Sequence, residues 1–295
     1  MPHLFDVESK KEIPVNNELF GNPWMSSPRI EWSPDSNRFF FTYNQRGHQV
    51  LRIISVDAGS GEAKTIVDEQ SETFIDYAYK KYLRILHGRD ELIWMSERDG
   101  WNHLYLYDLS TGEVKHPITK GEWVVRKVER VDVEKRQIWF QASGIYEDQD
   151  PYYIQHCRVN FDGSDLTFLT DGDGTHSVSW SPDRKFLVDT YSRVDQPPIT
   201  ELRNAESGKL VCELERADWS RLLETKWQTP EQFVAKGRDD TTDIYGVIYR
   251  PTSFDDAQKY PVIEKIYAGP HSSFVPKSFS DYFSAQAIAE LGFIV

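Results

Sequence analysis
Several short runs place chemically capable residues close together. Asp171-Gly172-Asp173-Gly174 and Asp162-Gly163-Ser164-Asp165 begin like calcium loops. Neither continues to the bidentate glutamate that a twelve-residue loop needs, and both fall at repeat boundaries or turns, so turn chemistry is the better reading. Gly59-Ser60-Gly61-Glu62-Ala63-Lys64 opens like a phosphate cradle but lacks the third glycine and the following helix, which makes it a hairpin turn. The charged runs Glu97-Arg98-Asp99 and Arg238-Asp239-Asp240 read as solvated turns. No His-Glu-x-x-His is present, and two cysteines, Cys157 and Cys212, are too few for a four-cysteine zinc site. The pair is either two free thiols or one bridge, two thiols being the simpler reading. No metal and no cofactor is expected.

The elements that must position any such residues come from a repeat. Five segments share one grammar: an alternating apolar run, then Asp or Asn, a small polar turn, then a second alternating run. They begin at Leu4, Leu51, Leu104, Cys157 and Leu202. Their turn hydroxyls, Ser9, Ser60, Thr111, Ser164 and Ser207, are spaced 51, 51, 53 and 43 residues apart. Period-two alternation around such a turn predicts a hairpin. A second marker precedes some hairpins, Trp32-Ser33-Pro34-Asp35 and Trp180-Ser181-Pro182-Asp183. Glu91-Leu92-Ile93-Trp94 and Arg136-Gln137-Ile138-Trp139 fill the same slot in the intervening units. Units of about 40–50 residues with about four strands each have the period of β-propeller blades. The reading is an outer hairpin over 1–16 and four blades near 28–68, 73–120, 123–170 and 175–215.

Composition agrees with a mostly β chain: 9 Trp, 15 Tyr and 16 Phe stand against 3 Met. The net charge is −13, from 34 Lys and Arg against 47 Asp and Glu, which argues against nucleic acid or an anionic membrane surface as partner. No window of 18 uninterrupted apolar residues exists, so no membrane segment is expected. The first residues have neither the basic start nor the apolar stretch of a signal peptide.

From about residue 219 the repeat stops. Residues 232–251 read as a hairpin with a charged turn, and 259–267 as a strand ending at Ala268-Gly269-Pro270. Residues 280–291 read as a helix with Ser280 or Asp281 as cap, an apolar face of Phe283, Ala287, Ile288 and Leu291, and Gly292 as a left-handed end. Phe293-Ile294-Val295 then begins another strand. Strands followed by helix and strand are the opening of an α/β domain.

Blades carrying Trp-Ser-Pro-Asp, then Asp243-Ile244-Tyr245-Gly246-Val247-Ile248-Tyr249-Arg250-Pro251, then a strand ending in Tyr267-Ala268-Gly269-Pro270 resemble the dipeptidyl peptidase IV branch of the prolyl oligopeptidase family of serine peptidases. The resemblance covers essentially the whole chain, and Tyr-Ala-Gly-Pro is its most specific motif. It implies a β-propeller over 1–218, here partial, and the start of an α/β-hydrolase domain over 219–295. It also implies removal of N-terminal dipeptides, or tripeptides, after proline.

In that family Tyr267 would donate its hydroxyl to the oxyanion of the tetrahedral intermediate. The nucleophile of an α/β-hydrolase lies in Gly-x-Ser-x-Gly with its acid and histidine following. No such motif occurs in the sequence, and His271 stands ahead of any position for it, so His271 reads as a loop residue. The family's amine-binding Glu-Glu pair is also absent. The expectation is thus a chain truncated relative to the family at both ends and inactive alone. The resemblance further implies a peptide substrate and a periplasmic or extracellular setting. Open blade edges would allow a homo-oligomer or another partner. The alternative is a non-catalytic propeller module that binds a peptide or protein.

Overall fold
The computed structural model describes residues 2–24, 28–267, 273–281 and 284–295. They divide into two compact units, Met1–Ile138 with Val159–Asp165, and Trp139–Arg158 with Leu166–Val295.

The first unit opens with a hairpin of β1 (Leu4–Asp6) and β2 (Lys11–Ile13). Next come two four-stranded antiparallel sheets, each ordered as it runs along the chain: β3 (Ile30–Trp32), β4 (Arg38–Asn44), β5 (Val50–Asp57) and β6 (Ala63–Gln70); then β7 (Leu83–Leu86), β8 (Glu91–Ser96), β9 (His103–Asp108) and β10 (Val114–Pro117). β11 (Val124–Asp132), β12 (Gln137–Ser143), β13 (Gln155–Asn160) and β14 (Thr167–Phe168) repeat the same succession, and the division between the units runs through them. In the second unit β15 (Thr175–Trp180), β16 (Phe186–Arg193), β17 (Gln196–Asn204) and β18 (Leu210–Arg216) form the last such sheet. The four sets match the four blades read from the repeat. The second starts late because residues 71–82 are turn and loop, with Asp76 accepting from the Ala78 and Tyr79 amides at 3.0 and 3.1 Å.

The repeat grammar is hydrogen-bond chemistry. At the turn before each fourth strand an Asp or Asn side chain caps the backbone ahead of it. Asp57 accepts from the Gly59 and Ser60 amides at 3.0 and 2.8 Å, and Asp108 from Ser110 and Thr111 at 2.9 and 3.0 Å. Asp162 does so for Ser164, and Asn204 for Glu206 and Ser207. These are the Asx turns that the spaced hydroxyls announced. Three amide and hydroxyl donors hold the half-buried Asp108 carboxyl at about 2, Ser110 Oγ contributing most. The Trp-Ser-Pro-Asp marker is a second local lock: Ser33 Oγ donates to Asp35 at 2.6 Å and Ser181 Oγ to Asp183 at 2.8 Å. At the same turn each blade has a non-glycine residue with positive φ: Ser36, Asp90, Arg136 and Arg184, at 58, 48, 53 and 60°.

Each blade packs on its predecessor. Phe40, Leu51 and Ile53 of the first meet Leu92, Trp94 and Tyr105 of the second in one core. The hairpin β1–β2 contributes Leu4 to the core behind Phe39, Phe41 and Ile54. In the second unit Trp139 and Leu169 pack on Leu187 and Ala205. Backbones approach closely here. A Cβ added at Gly61 (φ 74°) would lie 2.0 Å from the Pro14 carbonyl oxygen, and one at Gly208 (φ 71°) 2.3 Å from that of Phe168. Gly112 and Gly163 face Ile66 and Ile118 of the preceding strand sets in the same way.

β15, β16 and β17 carry a buried polar network. The His176 ring nitrogens face Asp189, at 2.9 Å, and the Gly172 carbonyl, at 2.8 Å, while Arg203 Nε lies 3.2 Å from Asp189. Asp171 and Asp173 are taken up by Arg203 and Arg193, so the calcium-like run is a set of ion pairs at a turn. The run Glu97-Arg98-Asp99 is an exposed turn, as read, but the Arg98 side chain is also engaged. It is only 31% exposed, contacts Glu69 and the Tyr107 hydroxyl, and lies over the rings of Tyr105 and Tyr107, 4.5 and 5.3 Å from their centroids. The cysteines are free thiols, Cys157 buried and Cys212 exposed.

Past β18 come a single helical turn α1 (Ser220–Leu223), the hairpin of β19 (Glu231–Lys236) and β20 (Asp243–Ile248), and α2 (Ser284–Ala289). Val262 pairs in parallel with Ile294, and Tyr249 exchanges hydrogen bonds of 2.9 and 3.0 Å with Val295, so the final residues lie between two extended segments. This is the α/β opening read from the sequence, with two differences. Over 259–267 only Val262 pairs as a strand residue; Val262, Ile266 and Tyr267 are all more than 60% exposed. The buried face of α2 is Ala285 and Ala289, packed on Tyr249, whereas Ala287 and Leu291 face outward. Small side chains at this i, i+4 pair let the helix approach the extended backbone closely. Phe283 lies outside the described residues, as does Tyr282, and Ser280 and Asp281 precede the described helical residues. Gly292 has the expected left-handed backbone, φ 96°, and its amide donates to the Ala289 carbonyl at 2.8 Å.

Candidate functional site
Tyr267 ends the extended segment that starts at the Val262 pairing, in the second unit. Its side chain is 62% exposed, and its ring lies against Phe274 with centroids 4.0 Å apart and planes tilted by 46°. One face of the ring therefore lies on an apolar neighbour. Ala268, Gly269, Pro270 and His271, the rest of the motif and the histidine after it, lie outside the described residues. Upstream, Lys265 Nζ donates to Ser284 Oγ of α2 at 3.3 Å.

The return segment, 273–281, is tied down at two points. Lys277 Nζ meets Asp150 Oδ2 at 2.5 Å and sits 4.9 and 5.4 Å from the ring centroids of Tyr152 and Tyr245. Asp150 is itself oriented by the Tyr152 amide at 2.9 Å. Two residues on, the Phe279 amide donates to Ser192 Oγ at 3.1 Å, and its ring meets Trp219 and Trp227 edge-on, each 5.9 Å away. The hairpin β19–β20 is tied to the same strands. Tyr153 Oη donates to Gln232 Oε1 at 3.0 Å, and Gln232 Nε2 to Asp195 at 3.1 Å. Burial, and after it the neighbouring Asp150 carboxylate, push the Tyr153 hydroxyl above its ordinary value, so it stays a neutral donor.

Tyr267 is the one residue singled out from the sequence for catalysis. The structure brings Phe274 to it, and the fixing of 273–281 by Lys277 and Phe279 was not read from the sequence. In the first unit a separate cavity of about 670 Å³ is lined by Arg29, Glu31, Tyr77, Tyr82 and Arg84, none of them singled out beforehand.

Comparison with known proteins follows the same lines. The family described as "Dipeptidyl peptidase IV (DPP IV) N-terminal region" matches residues 4–198. "Dipeptidyl peptidase 4" of Arthroderma otae is 23% identical over 284 residues, 94% of this chain and 36% of that protein. "Probable dipeptidyl-aminopeptidase B" of Emericella nidulans is 30% identical over 309 residues, 99% of this chain and 33% of that protein. This chain thus spans about a third of the length of these curated relatives. The crystal structure of Porphyromonas gingivalis dipeptidyl peptidase 4 superposes with a TM-score of 0.75 at 23% identity, over 99% of this chain and 40% of that one, which establishes likeness of fold. Among the described residues no helix is long and apolar enough to cross a membrane.

Proposed function
Because the chain belongs to the dipeptidyl peptidase IV N-terminal region family, we propose that it is part of a serine peptidase that removes N-terminal dipeptides, or tripeptides, after proline. In this reading residues 1–218 supply propeller blades and residues 219–295 the first strands and helix of the α/β-hydrolase domain. Tyr267 donates its hydroxyl to the oxyanion formed when a serine attacks the peptide carbonyl. The serine, acid and histidine are not among these 295 residues, since no Gly-x-Ser-x-Gly is present. They come from polypeptide outside this sequence, and the 295-residue chain alone is inactive. The observation that carries the reading is the family match over 4–198 followed by Tyr-Ala-Gly-Pro, with Tyr267 accessible and backed by Phe274. Exposure of all seven β18 residues, with Leu210, Val211 and Leu214 each about half exposed, supports association through that edge, with a second copy or another partner.

The test is kinetic. The 295 residues alone give no turnover of a chromogenic Xaa-Pro substrate. In a polypeptide that also carries the nucleophile motif, Tyr267→Phe lowers kcat by about 10²–10³ while KM changes little, the value of one oxyanion donor. Turnover by the chain alone that disappears in Tyr267→Phe would contradict the first half of the proposal. An unchanged kcat in the longer protein would contradict the second.

A further inference from the structure
We infer that Lys277 is a positioning residue whose ion pair with Asp150, between the rings of Tyr152 and Tyr245, sets how Tyr267 is presented. This rests on the reading of Tyr267 as oxyanion donor and deepens it. The chain of contact is short. Lys277 is three residues from Phe274, so their Cα atoms cannot be more than about 11 Å apart. Phe274 in turn packs its ring on Tyr267. Phe279, two residues further, is held by Ser192, Trp219 and Trp227, so the segment cannot slide along its axis without breaking a second contact.

The chemistry of the clamp favours a positional role. The Lys277 and Asp150 side chains are 13% and 9% exposed. An ammonium withdrawn this far from water holds its place only with a counter-charge and polarisable neighbours, and both are present: the carboxylate and two ring faces. An apolar side chain would fill the same volume in many orientations. The ammonium accepts one, and it thereby fixes the register of 273–281 against the loop carrying Asp150. Asp150 lies between β12 and β13, so the presentation of Tyr267 depends on residues more than a hundred positions earlier in the chain.

The test reads the Tyr267 ring directly in the 295-residue chain. All tyrosines are replaced by 3-fluorotyrosine, and the Tyr267 fluorine resonance is assigned by its loss in Tyr267→Phe. Phe274→Leu gives the displacement that follows loss of the ring contact. In Lys277→Met, which keeps length and volume, the Tyr267 resonance moves by at least half of that displacement while the Tyr43, Tyr105 and Tyr107 resonances of the first unit stay in place. Lys277→Arg, which can meet the same carboxylate and ring faces, returns it to within a tenth. A Tyr267 resonance unmoved in Lys277→Met overturns the inference, as does failure of Lys277→Arg to restore it. If Lys277→Met loses signal dispersion throughout, Asp150→Asn is read in its place by the same criteria. The measurement needs no turnover, so it can fail while the oxyanion assignment stands, and the kinetic test on Tyr267 can fail while the clamp is upheld.

Discussion
The closest backbone approach in the second unit gives a sharp prediction. Gly208 sits at φ 71°, and an added Cβ would lie 2.3 Å from the Phe168 carbonyl oxygen and 2.9 Å from Leu169 Cα. Gly208→Ala incurs two separate costs. Left-handed backbone costs an L-residue about 1–2 kcal/mol. The obstructing atoms are main chain and cannot rotate aside, so the two strand sets must part, at the roughly 1–3 kcal/mol of an overpacked site. Together they predict a loss of about 2–5 kcal/mol. Gly100 supplies the control: its φ is 94° and an added Cβ meets nothing within 4 Å, so Gly100→Ala incurs only the first cost. Urea unfolding of the wild type and both variants, followed by near-ultraviolet circular dichroism, measures the difference. Equal losses for the two substitutions would refute the claim that Gly208 is reserved for close approach of neighbouring blades.

Two further predictions concern buried charge. Glu91 accepts from Arg136 at 2.7 Å and Lys115 at 3.1 Å; burial raises its carboxyl value, but these two cations outweigh burial and hold it below the usual range. A lowered folded value contributes stability that is complete above the unfolded glutamate value of about 4.3 and fades as pH falls through the folded one. The melting-temperature gap to Glu91→Gln is therefore widest near neutrality and narrows below about pH 4, and a gap that stays constant into stronger acid contradicts this. Asp189→Asn leaves Arg203 and His176 facing a neutral side chain in a site with no solvent access, and calorimetry should record a loss of about 3–5 kcal/mol. A change under 1 kcal/mol would show that the network is not held by that charge.

The blades were legible because their signals are local. β17 alternates buried and part-buried residues along its whole length, and each Asx turn closes within three residues. Residues 219–295 were legible as hairpin, helix and terminal extended segment, but the buried face of α2 was not. Ala285 and Ala289 carry too little apolar surface to outrank Ile288 and Leu291 in a periodicity reading, and it is their smallness that the packing uses. Tyr267 was found through its motif. Lys277 and Asp150 could not be, since 127 residues separate them and a buried ion pair leaves no periodic trace. The Arg98 contacts were hidden for a related reason: the run is the exposed turn it looks like, and the partners of its guanidinium, Glu69 and Tyr107, arrive from other strands.

The turn glycines have a consequence for how the molecule forms. Gly61, Gly112, Gly163 and Gly208 each meet backbone 47, 46, 45 and 40 residues earlier. The entropy lost in closing such rings grows only with the logarithm of their size, so the four closures differ by about 0.1 kcal/mol. No ring is favoured as the nucleus, and every one can close as soon as its own forty-odd residues are available. Assembly can then proceed in step with synthesis, each newly finished sheet seating on one already made.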